Sequence, residues 1–290
     1  MEQLPYYLGL PLWANAHWKG NLFSNTAKPA EFLAQYAQVF NAVEGNTTFY
    51  AVPSHDMVNR WLAATSDTFR FSFKFPRTIT HQHQLLHVTK ETTAFLQRLA
   101  PLGERIHGLM VQLPSGFSPD ALTQLASFLR ELPSDYRYAV EVRHPAFFTD
   151  AQARAALNNC LRDLAVDRVI FESRPVHAAP PLDEATREAQ ARKPRLPVQL
   201  DTTAQQPVLR YIGHPVLVDN QPWLERWVAQ TARWITAGMR PRVFIHTPSN
   251  DLAPALALQF HQQLRVKIPS LPDLPRFLGE PPQVTGTLLL

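Results

Sequence analysis

The sequence predicts an α/β protein: a single (β/α)8 TIM-type barrel with a long irregular insertion after the sixth strand and a Pro-rich C-terminal tail. Short strand-like runs and helical patterns follow one another eight times, the rhythm of a parallel sheet. Several runs carry charged residues toward their carboxyl ends and are then stopped by proline, as in Val140-Glu141-Val142-Arg143-His144-Pro145 and Phe73-Lys74-Phe75-Pro76. Charges at the carboxyl ends of barrel strands are how this fold builds a site. Neither a GxGxxG nor a P-loop fingerprint occurs, and Gly is scarce at 10 residues, so nothing points to an open dinucleotide-binding sheet.

The first strand is Tyr6 to Leu10, stopped by Pro11, with Trp13, His17 and Trp18 in the loop beyond. Pro29 opens a helix that spaces Phe32, Tyr36, Val39 and Phe40 at three and four residues. The second strand, Ala42 to Asn46, puts Glu44 and Asn46 on one face and runs into Thr47 to Tyr50. Ser54 caps a helix through Met57, Val58, Trp61 and Leu62. Phe69, Phe71, Phe73 and Phe75 then share one face of a strand whose other face is Arg70, Ser72 and Lys74. A helix from about Lys90 to Leu99 leads to the strand Gly108 to Leu113, where Gln112 takes the place that Lys74 and Glu141 take in theirs. Ser118 caps a helix ending near Leu129, and the fifth strand starts at Tyr138.

Helix Ala151–Leu164 and strand Arg168–Phe171 follow, the strand tipped by Glu172. From about 175 to 206 the pattern is broken by Pro175, Pro180, Pro181, Pro194 and Pro197 around one helical run, Asp183–Arg192; it reads as a functional loop inside the domain. Strand Val208–Ile212, helix Trp223–Ala237, strand Arg242–His246 and helix Ala253–Val266 complete a barrel domain spanning 1–268. The Pro- and Leu-rich tail, 269–290, is expected to lie over the surface or loose.

Composition narrows the class. Hydrophobic residues at 45% and charged residues at 18% suit a globular chain with a sizeable core. A net charge of +4 and a pI near 9.3 tolerate anionic partners without demanding them. The single Cys160 allows neither an internal disulfide nor a CxxC metal site. With no signal-like N-terminus and no run of eighteen apolar residues, a soluble cytoplasmic protein without membrane partners is the expectation.

Inward positions near the strand ends of a barrel converge on one mouth. That gathers Glu44, Asn46, Lys74, Gln112, Glu141, Arg143, Glu172, Arg210 and His246. Glu44, Glu141 and Lys74 are the candidate catalytic residues. Two carboxyls in unlike surroundings could act as acid and base, and Lys74 could hold an anion or, with a depressed pKa, act as an amine nucleophile. A salt bridge from Lys74 to Glu44 or Glu141 is the plain structural alternative. Arg143 and Arg210 suit two-pronged recognition of an oxyanion. Asn46, Tyr50, Gln112, His144, His246 and Trp13 join them as candidate substrate-binding residues. Loop aromatics Trp13, Trp18, Phe49, Tyr50, Phe147 and Phe148 are expected around the same mouth, to stack on a sugar or base or to pack the loops. His81, His83 and His87 read as solvated loop residues. No cofactor and no metal site is expected, since no HExxH occurs and the basic neighbours of Glu44, Glu141, His144 and His246 oppose a cation.

These residues resemble, as a set, the YecE-like family known as domain of unknown function 72. The matching pieces are Gly9 to Trp13, Val43 to Tyr50, Phe71 to Pro76 with Thr80-His81, Gln112-Leu113-Pro114, and Val140 to His144, and the stretch Glu172 to Ala179 matches the YecE-type branch. The resemblance runs to about residue 265. It implies a TIM barrel and the position of the site, and carries no reaction. Two departures fall at the mouth: Ile212 stands where the wider family tends to have His after Arg-x, and His246-Thr247-Pro248 stands where paired Asn is common.

The function expected is that of a metal-independent barrel enzyme acting on a small anionic, sugar- or phosphate-bearing molecule, with Glu44 and Glu141 in acid–base roles. A metal-assisted hydrolase or isomerase using Glu44, Glu141 and His246 is one alternative. A non-catalytic nucleic-acid-binding protein using Arg187, Arg192, Lys193 and Arg195 is the other.

Overall fold

In the computed structural model, which describes residues 4–279, eight parallel strands follow one another around a nearly closed barrel. They are β1 Tyr7–Gly9, β2 Ala42–Gly45, β3 Arg70–Lys74, β4 Ile106–Gln112, β5 Tyr138–Glu141, β6 Asp167–Glu172, β7 Val208–Ile212 and β8 Arg242–His246. Between and around them run α1 Phe32–Tyr36, α2 His55–Ala64, α3 Thr89–Leu99, α4 Leu122–Glu131, α5 Ala146–Thr149, α6 Ala151–Asp163, α7 Arg174–Ala178, α8 Glu184–Arg192, α9 Gln221–Thr236 and α10 Ala253–Lys267.

β1 pairs with β8, and each strand from β2 to β7 pairs with its successor. The seam between β1 and β2 is closed largely by side chains. Asn41 accepts from the Leu8 amide and donates to Tyr6 O, at 2.8 and 2.9 Å. The Tyr36 hydroxyl accepts from the Leu10 amide and donates to Ala42 O, at 2.7 and 2.8 Å. A Cβ on Gly9 would lie 2.3 Å from Ala42 O, so the two strands meet this closely only because residue 9 is glycine.

Strand alternation separates two environments. The phenylalanine face of β3 points outward: Phe71 and Phe73 stack on Trp61 of α2, and Phe75 packs on Phe95 of α3 and Phe128 of α4. Each such ring, fully buried, contributes about 1.5–3 kcal/mol. The inner face is layered. Arg242 and Asp167 close the amino-terminal end. Above them lies an apolar plug of Tyr7, Ala42, Met110, Ala139, Val169, Val208 and Phe244. One step further toward the carboxyl ends, Glu44, Lys74, Gln112, Glu141 and Arg210 replace it, all buried.

The insertion is more structured than its prolines suggest. Helix α8 is capped by Asp183, whose carboxylate accepts from the Thr186 amide at 2.7 Å. Its far end is tied down where Pro194 O accepts from the Ser173 hydroxyl at 2.8 Å. The chain then returns beside α6 and β6, with Gln199 donating to Phe148 O and Thr203 to Val166 O. Residues 269–279 lie along the surface: Leu271 is buried, and the Leu278 and Gly279 amides bond to Leu22 O and Asn21 O. The rest of the predicted tail lies outside the described residues. Among the described residues, no helix is long and apolar enough to cross a membrane.

Candidate active site

Arg210 of β7 is the centre of the charged layer. Its Nε and Nη2 donate to the two oxygens of Glu44, both at 2.7 Å, and its Nη1 donates to Glu141 Oε2 at 2.5 Å. The other Glu141 oxygen accepts from Arg143 Nε at 2.8 Å. Lys74 lies beside this cluster: Nζ donates to Gln112 Oε1 at 2.8 Å and sits 3.7 Å from Glu44 Oε1, an ion-pair distance without a hydrogen bond. His246 Nε2 is 3.4 Å from Glu44 Oε2 and has no hydrogen-bond partner. The chain thus brings six residues from β2, β3, β4, β5, β7 and β8, with Arg143 just past β5, to one place.

The charges sort unevenly. Burial raises the Glu44 carboxyl, but Arg210, His246 and Lys74 outweigh it and hold it well below the usual range. Glu141 is pulled down to about 2, burial again being overcome by Arg210, Arg143 and Lys74. Burial and then Arg210 push the Lys74 amine down to about 7, against the pull of both glutamates. Burial lowers His246 to about 3, so the imidazole is neutral. The expectation that Glu44 and Glu141 exchange protons as an acid–base pair is therefore corrected: one guanidinium grips both, and both stay ionised near neutral pH.

Two further residues reach the mouth that the sequence pattern places elsewhere. Lys193, at the end of α8, is half-buried and lies in the field of Arg210, Glu44, Arg143 and Glu141; burial and Arg210 bring its amine down to about 8. His81 was expected on the solvated surface. Instead a π-helical turn, Thr78–Gln82, folds it back so that its ring meets the edge of Phe49 at 5.0 Å. Burial and then Arg143 lower it to about 4. His83 and His87 are exposed. Phe49 also carries Lys74 Nζ over its ring at 5.9 Å, and Phe171 lies under both Arg143 and Arg210, at 5.9 and 5.4 Å.

Other expected site residues sit elsewhere. Glu172 falls on the outer face of β6, bonded to Arg174 and, at 2.9 Å, to the Trp227 indole of α9. Phe171 takes the inward place instead. Trp13 packs edge-on against Trp61 and Phe71, outside the barrel wall. His144 turns to its own loop, its Nδ1 accepting from the Ala146 amide at 3.2 Å. Tyr50 is exposed and touches the site only through Phe49. Trp18 and Phe147 are buried in packing, and Phe148 covers Arg168. Asn46 donates to Pro11 O at 2.9 Å, leaving its Oδ1 buried without a partner. Ile212 joins Phe171, Val176 and Ala189 in an apolar cluster beside Arg210. Among the described residues no group of three or more His, Cys, Asp or Glu converges as a metal-holding set.

Eight parallel strands ringed by helices, with a charged layer at their carboxyl ends, define a (β/α)8 barrel of the TIM type. The chain belongs to the family described as "Protein of unknown function DUF72", whose model matches residues 7–277. It is 42% identical over 269 residues to the UPF0759 protein YecE of Escherichia coli strain K12, covering 93% of this chain and 96% of that one. Identity to YecE of Escherichia coli O157:H7 is 41% over the same length. Crystal structures of DUF72 family proteins share the fold. One from Thermotoga maritima has a TM-score of 0.69 at 22% identity, covering 90% of this chain and 99% of that chain. Another, from Enterococcus faecalis, has a TM-score of 0.65 at 20% identity, covering 93% and 98%.

Proposed function

We propose that the barrel mouth binds a small anionic molecule and that the protein is an enzyme whose proton-transferring group is Lys74. The observation that carries this reading is an excess of cations in one buried layer. The two negative charges of Glu44 and Glu141 are matched by Arg210, which bonds to both, together with Arg143, which bonds to Glu141. Burial first, and the charge of Arg210 second, lower the Lys74 and Lys193 amines to about 7 and about 8, against the pull of both glutamates. A bound anion would supply the missing counter-charge. Among the described residues His246 Nε2 and Asn46 Oδ1 have no hydrogen-bond partner; the ring nitrogen could donate to the anion, and the amide oxygen could accept only from a hydroxyl of the same ligand. A group titrating near 7 suits general acid–base work, which the clamped glutamates cannot do.

A small ligand fits these observations better than the alternatives. Arg210 lies between the carboxylates that a divalent ion would need. Of the four cations a nucleic-acid face would use, Arg187 bonds to Pro181 O and Leu182 O, Arg192 pairs with Glu188, and Lys193 lies toward the barrel mouth.

Sulfate is a suitable probe because its charge is constant from pH 6 to 9. As pH falls through about 8 and then about 7, Lys193 and Lys74 gain protons, so sulfate at low concentration should raise the melting temperature more at pH 6 than at pH 9. Arg143→Ala should remove most of that rise. Equal rises in the variant and the parent would rule the anion site out.

A further inference from the structure

We infer that Lys74 forms a protonated Schiff base with a small carbonyl compound bearing a carboxylate or phosphate. This rests on the anionic-substrate reading above and adds the substrate's reactive group.

The geometry around Nζ favours a neutral amine over a structural ammonium. An ammonium needs acceptors for three protons. Here Gln112 Oε1 takes one at 2.8 Å, while Glu44 accepts from Arg210 on each oxygen and, among the described residues, takes no hydrogen bond from Nζ. Nζ stays at ion-pair distance from that carboxylate, 3.7 Å, without closing to a hydrogen bond. A neutral amine asks less of the same place: two N–H groups instead of three, one of them given to the Gln112 carbonyl, with the lone pair free. The amine is buried, with the Phe49 ring 5.9 Å away. Burial also depresses the basicity of the group, as nucleophilic lysines require.

The surroundings fit a carbonyl anion. Arg143 and Lys193 lie at the rim, where a carboxylate or phosphate would rest, and Lys74 lies deeper. In the reaction, the Nζ lone pair attacks the carbonyl carbon, a C–N bond forms, and the oxygen takes a proton to give the carbinolamine. Nζ loses one proton. The hydroxyl then leaves as water with a second proton, giving an iminium. The balance is amine, carbonyl and one proton in, iminium and one water out. Lys193, charged at neutral pH, can deliver the proton. The proton that Nζ loses is the one the oxygen takes, so the first step needs no separate base. The positive iminium then replaces the ammonium that this layer holds poorly, now with the ligand's own anion beside it.

The test is reductive trapping. The full chain is incubated with pyruvate or with dihydroxyacetone phosphate, treated with cyanoborohydride, and analysed by intact mass and peptide mapping. One added ligand per chain, located at Lys74, is expected with at least one compound; which one reports carboxylate or phosphate preference. Lys74→Arg and Lys74→Met should abolish the adduct, both checked as folded by circular dichroism, and Arg143→Ala should lower its yield several-fold. If both compounds raise the melting temperature in an Arg143-dependent way but leave no adduct at Lys74, the Schiff base is overturned and the anion site stands. If neither compound binds nor reacts, both readings fall. Labelling spread evenly over surface lysines also overturns the inference.

Discussion

The barrel holds two buried ion-pair layers, one at each end, and they resolve the same physical problem in opposite ways. At the amino-terminal end Arg242 donates to Asp167 at 2.5 Å and to His107 O at 2.9 Å, and Asp167 also accepts from the Gln206 amide. The match is one to one, and burial dominates: Asp167 is raised and Arg242 lowered, each toward its neutral form. A Cβ on Gly108 would lie 2.1 Å from Arg242 Nη1, so the layer is sealed against a close-fitting wall. At the carboxyl end attraction dominates for Glu44, Glu141 and Arg210, and the surplus falls on Lys74. A balanced, sealed pair is architecture. A clamped cluster with a further buried amine beside it is not closed in that way, and this difference is what motivates the anion site proposed there.

The sharpest way to break this comparison is to remove each arginine. Arg210→Met leaves two carboxylates facing each other in the interior and should cost about 3–5 kcal/mol at pH 7. Arg242→Met leaves only Asp167, already raised and able to take a proton, and should cost about 1–3 kcal/mol. Adding Glu44→Gln and Glu141→Gln to Arg210→Met should recover part of the larger loss. Urea unfolding of the four proteins measures this. Equal losses for the two single variants would show that the layers do not differ as argued.

A second, smaller effect concerns Lys74. Its folded pKa of about 7 lies below the ordinary 10.5, so between those values the unfolded chain holds more protons than the folded one. Stability from this group therefore rises with pH across that window, and below about 7 the penalty is present in full. Lys74→Met should gain stability relative to the parent at pH 6, with the gain shrinking by pH 9. Paired thermal melts decide it. A variant that melts lower than the parent at pH 6, and less so at pH 9, would mean that Lys74 is a stabilising salt bridge instead.

Where the sequence was legible, strand alternation made it so. Ala42/Glu44, Ser72/Lys74, Met110/Gln112 and Ala139/Glu141 repeat one design, small or apolar below and polar above, and proline marks the ends. Parity fails only where the tip residue misleads. In β6 the inward tip is Phe171, which reads as ordinary core, while the polar Glu172 reads as site and belongs to α9 packing. Lys193 was seen as one of a run of surface cations, because a Pro-rich segment has no period from which to read a direction. His81 depended on a π-helical turn, and Trp13 on which side of Pro11 the loop folds; neither choice is written in local pattern.

The smallest effect expected is on the unliganded stability of Arg143→Ala, and it separates recognition from architecture within one strand end. Glu141 and Arg143 both face the mouth, but the Glu141 side chain is 1% exposed and that of Arg143 19%. Removing Arg143 leaves Glu141 Oε2 still bonded to Arg210, and the freed Oε1 lies where Lys74 and solvent at the rim can compensate. A partly exposed ion pair of this kind contributes up to about 1 kcal/mol, or about 2–4 °C for a chain of this size. Glu141→Gln should cost more, because it strands Nη1 of the buried Arg210 beside a neutral amide. Melting curves without added anion order the two variants. A larger drop for Arg143→Ala than for Glu141→Gln would make Arg143 part of the barrel's architecture and remove it from the rim of the site.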